Sequence, residues 1–188
     1  MIKKLALIIG FIICLSSCGK DYVYRIEGEL SNLEDQTVYA VFEKDNYKVV
    51  DTVVCTKPGQ FQIDQNEAGF HCVTIFFADK EHWVTAYLEP GETVKITGDA
   101  NSPLLLQVKG GRTNDKLTAF KKKIAPLLTE LTNLSNSLNS KDLNDTIEET
   151  DIAARLANVN MQLSEEAIRY VKENPDEEVS VVLIQSFF

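Results

Sequence analysis

The sequence has few residues of the types that most often perform catalysis. Among its 188 residues there are 2 histidines and 4 cysteines. It contains neither a Cys-x-x-Cys pair nor a Gly-x-Ser-x-Gly segment. A thioredoxin-type dithiol would need the first motif, and a hydrolase nucleophile elbow would need the second. We therefore predict no catalytic residues, no bound cofactor and no enzymatic activity for this chain.

Candidate metal ligands are equally scarce. The two histidines, His71 and His82, fall in predicted strands, and Glu81 adjoins the second of them. Two imidazoles and a carboxylate could bind a transition metal. Because no ligand spacing recurs along the chain, we predict two partly exposed strand histidines and no metal site.

Basic residues are outnumbered, with 19 Lys and Arg against 28 Asp and Glu. The only basic run is Lys121-Lys122-Lys123, which we interpret as the solvated face of a helix. An acidic chain without a basic cluster is a poor candidate for binding nucleic acid. We therefore expect no nucleic-acid partner.

No apolar run reaches the roughly 20 residues that a membrane-spanning helix needs. The longest run, from Leu5 to Leu15, follows Lys3 and Lys4 and precedes Ser-Ser-Cys18. A basic start, a short apolar stretch and small residues at the cleavage site are typical of an export signal. Because the small residues lead into a cysteine, the pattern matches a bacterial lipobox.

We therefore predict a lipoprotein signal peptide over residues 1–17 and lipidation of Cys18. Two or more acyl chains anchor a protein stably, so the membrane is the expected partner through this anchor. The predicted location is the bacterial cell envelope, with the inner or outer membrane undetermined. Removing residues 1–17 leaves 17 basic and 28 acidic residues, a net charge of −11.

Two further cysteines, Cys55 and Cys72, remain in the mature chain. An exported protein can hold a disulfide, and these residues lie in segments that could be neighbouring strands. The alternative is two small buried side chains, which we favour. Burial would raise the pKa of either thiol.

The chain changes character near Gly110-Gly111. Before this point, apolar and polar residues alternate in runs separated by Gly, Pro, Asn and Asp, as in an antiparallel sandwich or barrel. The predicted strands cover residues 22–30, 37–42, 47–56, 60–64, 70–78, 82–88, 93–98 and 104–108. Residues 18–111 are therefore predicted to form an all-β domain.

From Thr113 onward the apolar period becomes about 3.6 residues, as in amphipathic helices. Pro126 should kink or divide the first helix, and the second should stop at Asn174-Pro175. Residues 112–188 are thus predicted to form an antiparallel helical hairpin and linker region. The predicted fold class is α+β, with the strands and the helices in separate parts of the chain. The apolar segment 181–188 needs a covering surface. It either docks on the rest of the chain, precedes a further C-terminal domain, or causes self-association.

Five segments carry a family resemblance: residues 24–30, 37–42, 50–61, 87–99 and 110–114. They resemble an N-terminal domain of unknown function in Bacteroidetes-type envelope lipoproteins. In that family a helical segment follows the β-domain, and a thioredoxin-like domain of the peroxiredoxin or thiol-disulfide oxidoreductase kind often completes the chain. These 188 residues lack the thioredoxin-like domain, so the resemblance carries no redox residue over to them.

Two hypotheses of function follow. The first is a non-catalytic module that anchors or positions a thioredoxin-like partner or domain. The second is a stand-alone binding lipoprotein that recognises protein or glycan through the β-sandwich.

Overall fold

The computed structural model describes residues 22–33, 37–78, 81–139 and 146–187. Strands occupy the first part of the chain and helices the second, which confirms the segregated α+β class. The predicted signal peptide, Cys18 and residues 140–145 lie outside the described residues.

Eight strands form two four-stranded sheets. The strands are β1 Tyr24–Ser31, β2 Thr37–Lys44, β3 Tyr47–Val54, β4 Gln60–Gln65, β5 Cys72–Phe76, β6 Trp83–Tyr87, β7 Thr93–Asp99 and β8 Gln107–Lys109. Sheet A has the order β4-β1-β7-β8 and sheet B the order β3-β2-β5-β6. The sheets remain separate, so the domain is a sandwich and not a closed barrel.

One strand pair differs from the expected antiparallel arrangement. β1 and β7 run parallel, with Gly28 opposite Ile96, whereas the other pairs are antiparallel. Parallel neighbours need a crossover connection. Between β1 and β7 the chain passes through β2 and β3 of sheet B, β4 of sheet A, and β5 and β6 of sheet B.

The sandwich core comes from the alternation that the sequence shows. Along β1 every second residue is buried, because successive side chains of a strand point to opposite faces. The Phe70 ring packs against Tyr24, Phe42 and Tyr47 at centroid distances of 5.4–6.5 Å. The most fully buried apolar side chains of this core are Tyr24, Ile26, Val38, Phe42, Val73, Ile75, Val94 and Ile96.

The strand predicted over residues 104–108 is wrong in its first half. Pro103–Leu105 forms a single 3₁₀ turn, and β8 begins only at Gln107. Proline has a fixed φ and no backbone N–H, which suits the start of a helical turn better than a strand. The turn places Leu104 at the surface, 39% exposed.

The helices are α1 Arg112–Lys123, α2 Ala125–Asn139, α3 Thr146–Glu173 and α4 Glu178–Phe187. Pro126 divides the first apolar stripe as predicted, because α1 ends before Ile124 and α2 begins at Ala125. The second stripe ends at Glu173, directly before Asn174-Pro175. No described helix has the length and hydropathy required to cross a bilayer.

Helices α2 and α3 form the predicted antiparallel hairpin. Lys123, the last residue of α1, pairs with Glu166, and Glu130 on α2 pairs with Arg155. The residue numbers of the partners on α3 therefore decrease as the chain advances towards the end of α2, which makes the two helices antiparallel. A second core fills the hairpin, and α4 docks on it through Val179 and Leu183. The apolar tail is thus partly covered by the chain itself.

Candidate functional site at the junction of sandwich and helices

Asn114 on α1 covers the open edge of sheet B. Its side-chain oxygen accepts the N–H of Tyr87 at 2.9 Å, and its amide nitrogen donates to the carbonyl of Tyr87 at 2.7 Å. Tyr87 ends the edge strand β6. The Asn114 amide therefore supplies the hydrogen bonds that a further strand would make, and its residue is only 1% exposed.

Thr118, one turn later on α1, does the same for sheet A. Its hydroxyl accepts the N–H of Val108 at 3.1 Å and donates to the carbonyl of Val108 at 2.6 Å. Val108 lies in the edge strand β8. Residues four apart share one face of a helix, so one face of α1 closes an edge of each sheet.

The turn before α1 docks on the Glu-Pro-Gly turn between β6 and β7. The N–H of Arg112 donates to Glu89 Oε1 at 2.8 Å, so a carboxylate of the chain occupies the helix N-terminus, where negative charge is stabilised. A side chain at Gly111 would bring its Cβ within 2.9 Å of the same oxygen. The Gly-Gly pair thus forms a junction turn in which this anion position is already filled.

Helix α1 also holds α4. The hydroxyl of Thr113 donates to Glu178 at 2.5 Å, and Lys116 forms an ion pair with Glu177 just before α4. Strands β6 and β8 and helix α4 are therefore all bonded to the same helix. This gives the helical part a fixed orientation on the sandwich.

An apolar cavity of about 470 Å³ lies beside this junction. One wall is the outer face of β6, with Trp83, Thr85 and Tyr87, and the helices form the others. Trp83 and Leu104 are largely exposed at its rim. Buried side chains from every helix line the interior, among them Phe120, Leu128, Leu163 and Leu183.

Lys121 is the only charged residue among the described residues that line this cavity. It is half-buried, and burial lowers the pKa of its ammonium. The described part of the chain offers it no ion pair or hydrogen bond, whereas the neighbouring Lys123 pairs with Glu166. A desolvated cation without a counter-charge is unusual, because burial of an unpaired charge is costly.

The prediction of a solvated Lys121-Lys122-Lys123 face is therefore wrong for its first residue. Lys122 and Lys123 are exposed, as expected. Lys121 lies four residues after Leu117 and three before Ile124, which places it on the apolar stripe itself. That spacing was visible in the sequence and could have identified it.

A second cavity, of about 730 Å³, lies at the other end of β6. Charged side chains of both signs line it, including Glu89, Arg112 and Glu178. Both carboxylates already have partners, since Glu89 accepts the N–H of Arg112 and Glu178 accepts the hydroxyl of Thr113. Its described lining therefore holds charges of both signs, whereas that of the cavity at Lys121 holds one cation and no anion.

Cys55 and Cys72 are free thiols. Cys72 lies opposite Glu43 on β2, whereas β3 ends beside Cys55 with Val54 opposite Thr37. Six residues along a strand span about 20 Å, far beyond the roughly 7 Å that a disulfide allows between Cα atoms. Burial raises the pKa of Cys55. Burial and the nearby Glu43 carboxylate raise the pKa of Cys72 to about 11.

The two histidines lie at opposite ends of the β5–β6 pair. His71 precedes β5 and bonds Asp45 at 2.8 Å, and the carbonyl of His82 accepts the N–H of Phe77 before β6. Within residues 22–33, 37–78, 81–139 and 146–187, no three His, Cys, Asp or Glu residues are grouped as metal ligands.

The fold and the junction define the class of protein: a β-sandwich module whose sheet edges are covered by the first helix of a helical segment. The chain belongs to the family described as Domain of unknown function (DUF4369), which matches residues 24–117. The match runs from β1 into α1 and includes Asn114. No curated protein and no solved structure matches the chain.

Proposed function

We propose that this protein is a non-catalytic module of the bacterial cell envelope that positions a thioredoxin-like thiol-disulfide oxidoreductase, as a partner or as a domain. Lipid on Cys18 holds it at the membrane. The partner class comes from the resemblance of the sequence to envelope lipoproteins in which a thioredoxin-like domain follows the helical segment.

The bonded junction is the observation that carries the positioning role. β1 begins at Tyr24, six residues after Cys18, and six residues span at most about 21 Å. The sandwich is thereby kept close to the membrane surface. Because α1 bonds both sheet edges and α4, the outer face of α4 is held in a fixed direction from that anchor.

The outer face of α4 is the surface where we place the partner. Val181 and Ile184 are 55% and 47% exposed, although Val179 and Leu183 of the same helix are buried. A helix with apolar residues on both faces is suited to contact a second surface. This face lies at the end of the helical segment that the thioredoxin-like domain follows in the resembling lipoproteins.

The chain should have no thiol-disulfide exchange activity of its own. Exchange requires an accessible thiolate, and the raised pKa values of Cys55 and Cys72 keep both thiols protonated at neutral pH. We expect the mature chain to reduce insulin disulfides no faster than a Cys55→Ser/Cys72→Ser variant. Turnover that disappears in this variant would contradict a non-catalytic role.

A photo-crosslinking residue at Val181 tests the positioning itself. In cells of the native host, we expect an adduct with a protein or domain that contains Cys-x-x-Cys, identified by mass spectrometry of the crosslinked peptide. The matched control places the same residue at Gln62, which is exposed on β4 of the sandwich. Adducts from Val181 that lack a thioredoxin-like sequence, or that equal those from Gln62, would refute the proposal.

The Cys18→Ala variant tests whether the protein is anchored through Cys18 and whether positioning depends on that anchor. Acylation needs the Cys18 thiol, so the variant should incorporate no labelled palmitate and should leave the membrane fraction. If positioning depends on the anchor, the Val181 adduct with a separate partner should fall with it. Equal palmitate labelling of the variant and the wild type would show that Cys18 is not the lipidation site.

A second candidate is a stand-alone binding lipoprotein that recognises protein or glycan through the sandwich. One observation favours it. Sheet A carries a groove of about 300 Å³ lined by hydrogen-bonding side chains, including Glu27, Gln62 and Lys95. An α4 face without a thioredoxin-like adduct would favour this candidate.

A further inference from the structure

We propose that the cavity at Lys121 binds an apolar molecule that carries a single carboxylate, such as a fatty acid. The hydrocarbon chain would lie among the buried helical side chains, and the carboxylate would pair with the Lys121 ammonium. This inference is separate from the positioning role, because it concerns the cavity that Lys121 lines and not the exposed Val181 and Ile184 of α4.

The size and lining of the cavity fit such a ligand. Small-molecule sites are mostly apolar concavities of about 300–1,000 Å³ with a few polar groups, and this one has about 470 Å³. Phe120, Ile124 and Leu163 contribute apolar surface to its interior. Transfer of hydrocarbon from water to such a surface is favourable in proportion to the area buried.

The charge of the cavity selects the head group. The protein as a whole is acidic, with a net charge of −9, yet the described lining of this cavity holds one cation and no anion. Burial disfavours the ammonium and lowers its pKa. A ligand carboxylate would supply the missing counter-charge and restore that pKa, so binding and protonation of Lys121 should support each other.

Uncharged polar groups line the same cavity and complete the head-group environment. They are Thr85, Tyr87, Asn160 and Ser186. Burial raises the pKa of Tyr87 to about 12, so its hydroxyl stays protonated and able to donate. No second cation is present among the described lining residues, which favours a monoanion over a phosphate or a dicarboxylate.

The test compares decanoate with decanol, which differ in the head group but share the chain length. Titration calorimetry uses the chain from residue 19 onward, which retains both hydrophobic cores and carries no acyl chain of its own. Both ligands are kept below micelle-forming concentrations. We expect decanoate to bind at least about tenfold more tightly, as one charge-assisted hydrogen bond in a desolvated site provides.

Lys121→Met removes the charge while it keeps the length and apolar stem of the side chain. We expect it to bind decanol as the wild type does and to lose the tenfold preference for decanoate. Lys122→Met, the matched change at the exposed neighbour, should leave that preference intact, and Lys121→Arg should keep most of it. Unfolding curves recorded for each variant establish that all of them are folded.

Three outcomes would overturn the inference. The first is equal binding of decanoate and decanol by the wild type, and the second is the binding of neither. The third is a preference that persists in Lys121→Met or disappears in Lys122→Met. The Val181 crosslinking result does not bear on any of them, so the two proposals fail separately.

Discussion

Replacing Asn114 by alanine and Thr118 by valine together should lower the free energy of unfolding by about 3–5 kcal/mol. The double variant leaves the N–H and carbonyl of Tyr87 and of Val108 without their side-chain partners. A buried polar group left unsatisfied costs about 1–3 kcal/mol. Four such groups would sum to about 4–12 kcal/mol, and we expect a value near the lower end because groups at sheet edges can regain water.

Urea unfolding followed by circular dichroism measures this effect, and each single variant should account for part of it. Thr132→Val is the matched control. The Thr132 hydroxyl donates to the carbonyl of Leu128 one turn earlier in α2, an acceptor that the helix backbone also uses. Its removal should change the unfolding free energy by no more than about 0.5 kcal/mol. A Thr118→Val loss as small as this would mean that α1 does not hold the edge of sheet A.

The double variant also connects stability with the proposed function. If the fixed orientation of α4 depends on α1, a loosened junction should broaden or reduce the adducts formed from Val181. The proposed lipidation site, Cys18, is unchanged in this variant, so we expect the same palmitate labelling as in the wild type.

Gly110→Ala should lower the free energy of unfolding by at least about 4 kcal/mol, a size seen only where a specific structural feature is broken. Gly110 has a φ of 99°. A Cβ there would lie 2.1 Å from the backbone oxygen of Thr93. Because the obstacle is backbone, no rotamer change can relieve the clash. The same residue donates to Asp115 and accepts from Asn114, so any displacement also disturbs the start of α1.

Gly91→Ala separates the two contributions to this loss. Gly91 has a comparable φ of 84°, yet nothing lies within 4 Å of its added Cβ. It should therefore cost only the backbone strain of a left-handed residue, about 1–2 kcal/mol. Thermal unfolding should show a fall in Tm for Gly110→Ala more than twice that for Gly91→Ala. Equal falls would mean that strain alone governs both positions and that the approach of Gly110 to β7 is not required.

The sequence predicted most of the elements because their signals are local. Alternation along residues 24–31 places Tyr24 and Ile26 in the core whatever sheet they join, and a 3.6-residue period does the same for Ile124 and Leu163. Pro126 acts through its own ring and missing N–H, so the division of the first helical stripe needed no knowledge of the rest of the fold. The strand predicted over residues 104–108 was wrong in its first half, because Pro103 begins a 3₁₀ turn in an otherwise apolar run.

The junction could not be predicted in the same way, because its partners are far apart in sequence. From the sequence, Asn114 is an ordinary polar residue near the start of a helix. Only the fold places β6 at the edge of sheet B, where the backbone N–H and carbonyl of Tyr87 need hydrogen-bond partners. Thr118 is likewise indistinguishable from a surface threonine without β8 beside it. Lys121 gave a signal in its spacing, but only the packing of the described helices against β6 shows that it lines a cavity.

The sequence by itself therefore determined which strand residues face the sandwich core, where strands give way to helices, and that neither Cys55 nor Cys72 lies in a Cys-x-x-Cys motif. Each of these follows from side-chain chemistry and periodicity over a few neighbouring residues. Only the tertiary structure decided that β1 and β7 run parallel, which strands lie at the sheet edges, and that α1 covers one edge of each sheet. Which strands lie at an edge, and where cavities form, depends on how the elements are arranged. The return of the chain from β6 of sheet B to β7 of sheet A sets that arrangement. The same return fixes the position of β8 and α1, and so places Lys121 in a cavity whose described lining holds no anion.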